Sequence, residues 1–195
     1  MNGPRYIELH AHSAFSFLDG ASSPDELAIR AAELGCEAMA LTDHDGIWGS
    51  MEFAQACESQ GVRPITGAEL TVLEPGAPPP LHSPARRESC PPGGFHVTLL
   101  VEDATGYSNL CRLLTAAHAD TRERPQEPVP PTVTLGELVR HAEGLVCLSG
   151  CARDGALAGR IARGQGGAAA RPGPRLAPPL GPRHLRGGPP PPFWP

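Results

Sequence analysis

The sequence predicts an α/β protein in which a parallel sheet or barrel carries its functional residues at one edge. Short apolar runs typical of buried strands alternate with amphipathic segments typical of helices. Histidine and acidic residues follow three of the predicted strands. Hydrophobic residues make up 40% of the 195 residues, which is enough to form a core. In α/β folds of this kind, functional residues gather at the carboxyl ends of the strands.

The amino-terminal part of the chain predicts the order β-α-β-α-β. Ser23 suits the N-cap of the first helix, because Pro24 occupies the first helical position and Glu26 lies three residues after the cap. Gly35 is placed to end that helix. The predicted elements are a strand over Tyr6–His10, a helix from Ser23 to Gly35, a strand over Ala38–Leu41, a helix from Gly49 to Ser59 and a strand over Val62–Leu70.

The second half continues the alternation less regularly. The stretch from Glu74 to Gly94 is rich in Pro and Gly and is predicted to be an exposed loop. The helix predicted over Gly106–Asp120 should bury one face, formed by Tyr107, Leu110, Cys111, Leu114 and Ala117. The other predicted elements are a strand over Phe95–Val101, a polar connection over Thr121–Thr132, a helix over Leu135–His141, a strand over Leu145–Leu148 and a helix start at Ala156–Arg163.

Candidate metal ligands follow the first three predicted strands. His10 and His12 lie two residues apart, so both side chains would point to the same face of a strand. His44 and Glu69 lie at the ends of the next two strands. A lone histidine is more often a structural residue, but ligand-type side chains at three strand ends favour a metal centre.

The acidic residues beside His44 leave two interpretations open. Asp43 and Asp45 could orient the His44 ring, or they could form a turn and helix cap before Ile47. Three further histidines are predicted to lie on the surface of loops or helices, namely His82, His118 and His141.

Charge and hydropathy exclude several classes of protein. Up to Arg163 the chain has 21 acidic residues against 12 arginines, a balance of −9, and it contains no lysine. It therefore lacks the basic stripe of an independent nucleic-acid-binding domain. No apolar run approaches a membrane span, and the amino terminus lacks a signal-peptide pattern. We expect a cytoplasmic protein without a membrane partner.

The composition changes after Arg163, which divides the chain into a domain over residues 1–163 and a low-complexity tail over residues 164–195. The tail holds ten prolines and seven glycines in 32 residues, with four arginines and no acidic residue. A segment of this composition buries too little apolar surface to order itself. A natural disordered tail and a shifted reading frame in GC-rich DNA both explain the mixture, and we favour the frameshift.

Five short motifs, in this order and at this spacing, resemble those of the PHP (polymerase and histidinol phosphatase) domain. The similarity is greatest to the amino-terminal PHP domain of the bacterial DNA polymerase III alpha subunit family, and within it to the error-prone, damage-tolerant paralogue. The resemblance covers about Arg5 to Arg163. The motifs are His10-Ala11-His12-Ser13, Leu18-Asp19-Gly20, Leu41-Thr42-Asp43-His44-Asp45-Gly46, Gly67-Ala68-Glu69 and Leu148-Ser149-Gly150-Cys151.

The resemblance implies a distorted (β/α)7 barrel, here incomplete, with divalent zinc, manganese or iron ions at its carboxyl-terminal mouth. No other cofactor and no catalytic residue is assigned. Later Asp and His ligands of the family pattern have no match, and His184 in the tail is not assigned. The matching ligand positions are His10, His12, Asp19, His44, Glu69, His96 and Cys151.

The resemblance further implies an amino-terminal fragment of an error-prone DNA-directed DNA polymerase, active in replication and translesion repair, with an incomplete phosphoesterase-type site. The full-length family would have DNA and polymerase or replisome subunits as partners. This chain lacks the palm carboxylates, so it should not synthesise DNA. The alternatives are a stand-alone PHP-type metal-dependent phosphoesterase and an inactive truncated product.

Overall fold

The computed structural model describes residues 6–78, 90–119, 121, 129–151, 154–157 and the backbone of 185–186. These residues form a mixed sheet with helices packed against it. The helices are α1 (Pro24–Glu33), α2 (Ser50–Gln60), α3 (Ala104–Ala117) and α4 (Leu135–Arg140). The strands are β1 (Ala38–Leu41), β2 (Arg63–Leu73), β3 (Gly94–Val101), β4 (Val133–Thr134), β5 (Leu145–Leu148) and β6 (Leu185–Arg186). Every described helix falls short of the length and apolar character of a membrane span.

The sheet confirms an α/β fold but is only partly parallel. Its strand order is β1-β2-β3-β5-β6, and β4 pairs with β2 outside that path. β1 and β2 are parallel, as the β-α-β pattern predicts, whereas β3 is antiparallel to both β2 and β5. A parallel neighbour needs a long crossover, and a chain that turns back beside the strand it has just left pairs antiparallel. Closure into a barrel stays a prediction.

Two features of the described sheet differ from the predictions. The tail was expected to be disordered, yet its residues Leu185–Arg186 pair in parallel with β5. The expected strand over Tyr6–His10 is reduced to one parallel bridge between Glu8 and Met39. The backbone N–H of His10 donates instead to the Glu8 carboxylate, 2.9 Å away, and this local bond competes with strand pairing.

The local signals for α1 are confirmed. Ser23 and Glu26 form a capping box, and Gly35 follows the helix in the left-handed conformation with a φ of 70°. Helix α1 packs with α2 and β1 in the smaller of two hydrophobic clusters. That cluster comprises Ala28, Ala31, Met39, Leu41, Phe53, Cys57 and Val62.

The larger cluster lies between the sheet and helices α3 and α4. The buried face of α3 includes Leu110, Leu114 and Ala117, as predicted, but Tyr107 is 47% exposed. Asn109 is buried as well, and its side-chain amide donates to the carbonyl of Glu143. The larger cluster comprises Ala68, Leu70, Val72, Phe95, Val97, Leu99, Leu110, Leu113, Leu114, Ala117, Val133, Leu138, Leu145, Cys147 and Ala156.

Gly106, at the start of α3, lies so close to the backbone of Gly144 that we expect this position to require glycine. The Gly106 N–H donates to the side chain of the N-cap Asp103 at 2.9 Å, and a Cβ at residue 106 would clash with the carbonyl oxygen of Gly144. We expect Gly106→Ala to lower the free energy of unfolding by about 2–3 kcal/mol in urea denaturation. Gly136→Ala in α4 is the matched control. Its added Cβ would meet no atom closer than the Thr134 hydroxyl at 3.9 Å. Equal effects of the two substitutions would contradict this expectation.

Candidate metal centre

Four histidines surround the buried carboxylate of Glu69, which is 1% exposed. Its Oε1 lies 2.7 Å from His96 Nδ1 and 3.3 Å from His44 Nδ1. Its Oε2 contacts His10 Nε2 and lies 3.9 Å from His12 Nε2. Glu69 is therefore the centre of the cluster, and both of its oxygens face imidazole nitrogens.

The sheet register explains why these side chains meet. His44 forms a parallel bridge with Glu69 directly beyond the end of β1. Thr71 of β2 lies opposite His96 of β3, so Glu69 and His96 share one face of the sheet as diagonal neighbours. Because β3 runs antiparallel to β2, the beginning of β3 lies beside the end of β2. His96 thus reaches the cluster although it lies near the start of its own strand.

Asp19 closes the exposed side of the cluster. Its Oδ2 lies 3.1 Å from His12 Nδ1 and 2.9 Å from His44 Nε2. The Asp19 side chain is 31% exposed, so this carboxylate faces solvent while Glu69 lies at the base. The cluster therefore has a buried acidic side and an open acidic side.

The donor atoms of the cluster fit divalent metal ions. Ligand atoms within 4.8 Å of one another form three overlapping groups: His10, His12 and Glu69; His12, Asp19 and His44; and His44, Glu69 and His96. Among the described residues, several buried atoms approach one another without hydrogen-bond geometry, namely His10 Nε2, His12 Nε2, Glu69 Oε2 and both ring nitrogens of His96. Buried polar atoms normally have partners, and imidazole with carboxylate suits zinc, manganese or iron.

The charges in the cluster are strongly coupled. Burial raises the pKa of Glu69, but the close approach and attraction of His10 and His96 outweigh this effect and hold that pKa well below its ordinary value. Burial and the neighbouring His44 lower the pKa of His12, which favours a neutral ring with a free lone pair. Glu69 thus carries a buried negative charge that protonated histidines or a metal ion can balance.

Cys151 lies beside His96 but outside the three overlapping groups. The backbone N–H of Asp154 donates to its sulfur at 3.4 Å. Burial lowers the pKa of His96, but the nearby Cys151, Cys90 and Glu69 side chains raise it to about 12. The structure therefore brings together six of the seven predicted ligands and places the seventh next to them.

A buried carboxylate that is not a predicted ligand joins the two loops of the cluster. Asp43 is 1% exposed, and its Oδ1 accepts from the Ser13 N–H and the Ser16 hydroxyl, each at 2.7 Å. Its Oδ2 accepts from the Ser13 hydroxyl at 2.8 Å, and Ser16 accepts from the His44 N–H at 3.0 Å. Asp43 thereby fixes the loop of His12 and Asp19 against that of His44. The sequence motifs indicate no role for either serine, because each contacts a carboxylate far away in the chain.

The carboxylate of Asp45 also binds a backbone N–H rather than a histidine ring. Its carboxylate accepts from the Thr71 N–H at 3.2 Å, and burial raises its pKa to about 6. Neither acidic residue caps a helix before Ile47, because α2 begins at Ser50 with Gly49 as its N-cap. Both therefore position the backbone on either side of His44.

One of the histidines predicted to be at the surface is engaged in this loop. His118 is partly buried and its Nε2 lies 2.7 Å from the carbonyl oxygen of Asp45. His141 follows α4 as its C-cap and is also partly buried. His82 lies outside the described residues. The contact of His118 with Asp45 was not predicted, since sequence spacing carries no signal for a bond between residues so far apart in the chain.

Comparison with known proteins gives consistent matches. The family model described as PHP domain matches residues 8–172, which extends past Arg163, the predicted end of the domain. The error-prone DNA polymerase of Mycobacterium bovis is 44% identical over 166 residues, a match that covers 85% of this chain and 14% of the polymerase. The DNA polymerase III subunit alpha of Treponema pallidum is 38% identical over 147 residues, covering 75% and 12% of the two chains.

A solved structure from Bifidobacterium adolescentis, described as a candidate metal-dependent phosphoesterase, aligns with a TM-score of 0.44. The sequence identity is 22%, and the alignment covers 64% of this chain and 37% of the other. The present chain spans only about one seventh of the polymerases that it matches.

Proposed function

The chain belongs to the PHP domain family, and on that basis we propose that its histidine–carboxylate cluster binds divalent metal ions and hydrolyses phosphoester bonds. The observation that carries the proposal is the set of three overlapping ligand groups around Glu69. The proposed ligands are His10, His12, Asp19, His44, Glu69, His96 and Cys151.

The shared residues of the three groups support a site for more than one ion. Glu69, His12 and His44 each belong to two groups, so neighbouring ions would share ligands. Bound ions would supply charge stabilisation and an activated water for attack on a phosphate. Glu69 provides the buried negative charge, and Asp19 holds His12 and His44 at the exposed side.

We further propose that the chain corresponds to the amino-terminal PHP module of an error-prone DNA polymerase. Identities of 38–44% to polymerases support this assignment. DNA and polymerase subunits would be partners of the whole protein, in replication and translesion repair. The later Asp and His ligands of the family have no match here, so the proposed site is incomplete and its activity should be low.

Substitution of a shared ligand tests the proposed activity. We expect His12→Ala to lower manganese-dependent hydrolysis of p-nitrophenyl phosphate by about 100-fold, because His12 belongs to two of the three groups. His141→Ala, which removes a histidine at the end of α4, should retain the activity of the original chain. Initial rates with and without added Mn²⁺ would be measured for all three proteins. Hydrolysis that is independent of metal, or equal in His12→Ala, would contradict the proposal.

A further inference from the structure

His118 links the end of α3 to the loop that carries His44. Its Nε2 lies 2.7 Å from the carbonyl oxygen of Asp45, and its own backbone N–H donates to Leu114 at the end of the helix. The Thr121 hydroxyl donates to the carbonyl of His118 at 2.8 Å. The backbone of His118 is therefore held at the end of α3, while its ring reaches the loop.

The bond to Asp45 determines that Nε2 of His118 carries a proton. A backbone carbonyl only accepts, so Nε2 must carry a proton. The neutral ring protonated at Nε2 and the charged ring both satisfy this condition. The bond to Asp45 therefore persists in either charge state of His118.

Asp45 needs support because its backbone conformation is unusual. It is a non-glycine residue with a φ of 48°, in the left-handed region that such residues adopt only when their surroundings hold them there. Its N–H donates to the carbonyl of Glu69 at 2.8 Å, and its carboxylate accepts from Thr71. Both of these contacts come from β2, whereas His118 supplies a third contact from a helix.

The indole of Trp48 covers the other side of this arrangement. It packs edge-to-face on the His118 ring with centroids 6.0 Å apart. It also lies so close to Gly46 that a Cβ there would clash with it. The loop from His44 to Trp48 thus closes around the His118 ring.

We propose that His118 is a positioning residue for the metal centre, which fixes the backbone of His44 and Asp45 without binding the metal itself. The inference rests on the proposed metal binding, because the position of the His44 ring matters only if that ring is a ligand. A histidine that merely ends α3 would stabilise the helix and leave metal affinity unchanged.

Two substitutions separate positioning from helix capping. The glutamine introduced by His118→Gln can donate an amide N–H from nearly the same place as Nε2, whereas His118→Phe keeps an aromatic ring and loses the donor. Zn²⁺ and Co²⁺ affinity would be measured by calorimetry on the full chain, with the Co²⁺ absorption spectrum as a probe of ligand geometry.

We expect His118→Phe to bind about 10-fold more weakly with an altered Co²⁺ spectrum, and His118→Gln to stay within about threefold of the original chain. His141→Phe, the same change at the end of α4, should leave affinity and spectrum unchanged. Equal affinity in His118→Phe and the original chain, or equal losses in both His118 variants, would overturn the proposal.

Amide hydrogen exchange tests the positioning role of His118 without requiring that the protein binds metal. In metal-free protein, exchange of the Asp45 N–H should be about 10-fold faster in His118→Phe and unchanged in His118→Gln. If the original chain binds no metal, the proposed function fails, and the role of His118 is decided by exchange alone. Unchanged exchange in His118→Phe would then overturn the positioning role.

Discussion

Asp43→Ala is expected to lower the free energy of unfolding by about 3 kcal/mol or more. The substitution removes one buried carboxylate and leaves three donors without an acceptor, namely the Ser13 N–H and the hydroxyls of Ser13 and Ser16. It also releases the loop that carries two proposed ligands. Urea denaturation followed by circular dichroism would measure the loss.

Two matched variants test the cause of this loss. Asp43→Asn keeps one oxygen to accept from the Ser13 N–H and the Ser16 hydroxyl, and its amide N–H can donate to the Ser13 hydroxyl once that hydroxyl rotates. We therefore expect a loss of about 1 kcal/mol. Glu58→Ala removes an exposed carboxylate from α2 and should change stability by less than about 0.5 kcal/mol. A loss of stability in Asp43→Ala as small as that in Glu58→Ala would contradict the role of Asp43 in joining the two loops.

Glu69→Gln is expected to weaken metal binding by about 100-fold or more. The substitution preserves the size of the side chain but removes its charge and one of the two oxygens that face four imidazole rings. Titration of metal-free protein with Zn²⁺ or Mn²⁺ would measure the affinity. Glu58→Gln is the control and should bind as tightly as the original chain.

The same variant should change the response of the metal-free protein to acid. The pKa of Glu69 lies below its ordinary value of 4.5, so the ionised carboxylate stabilises the fold above about pH 4.5, and this contribution is lost as the pH falls further. Glu69→Gln has no such group to protonate. Its stability should therefore fall less steeply below pH 4.5, and equally steep acid unfolding of the two proteins would contradict the assignment.

Much of the fold followed from local signals in the sequence. The capping residues Ser23 and Glu26 and the terminal Gly35 define α1 without help from the rest of the chain. The strands β1 and β5 are short apolar runs that were predicted with their observed bounds. Elements of this kind are predictable because neighbouring residues determine them.

Features that depend on tertiary contacts were harder to predict. The expected first strand is mostly lost because the Glu8 carboxylate takes the N–H of His10. Asn109 is buried although it is polar, because its side-chain amide donates to the distant backbone carbonyl of Glu143. In both cases a side-chain hydrogen bond decides a feature that the hydrophobic pattern does not indicate.

The candidate site likewise combines residues that local motifs indicate with contacts that only the tertiary structure shows. Ordered motifs were sufficient to propose His12, Asp19, His44 and Glu69, which the structure brings together. The hydrogen bond of His118 to Asp45 depends on where the end of α3 packs, and no local pattern indicates it. Positioning residues such as His118 can therefore be identified only from the tertiary structure, which shows how distant elements pack.

Metal content is the most direct test of the central claim that this cluster is a metal centre. The purified full chain would be stripped with a chelator, exposed to Zn²⁺ or Mn²⁺, dialysed, and analysed by mass spectrometry of the elements beside Glu69→Gln. We predict at least one retained ion per chain in the original protein and a substoichiometric amount in the variant. No retained ion in the original chain, or equal retention in both proteins, would contradict the account.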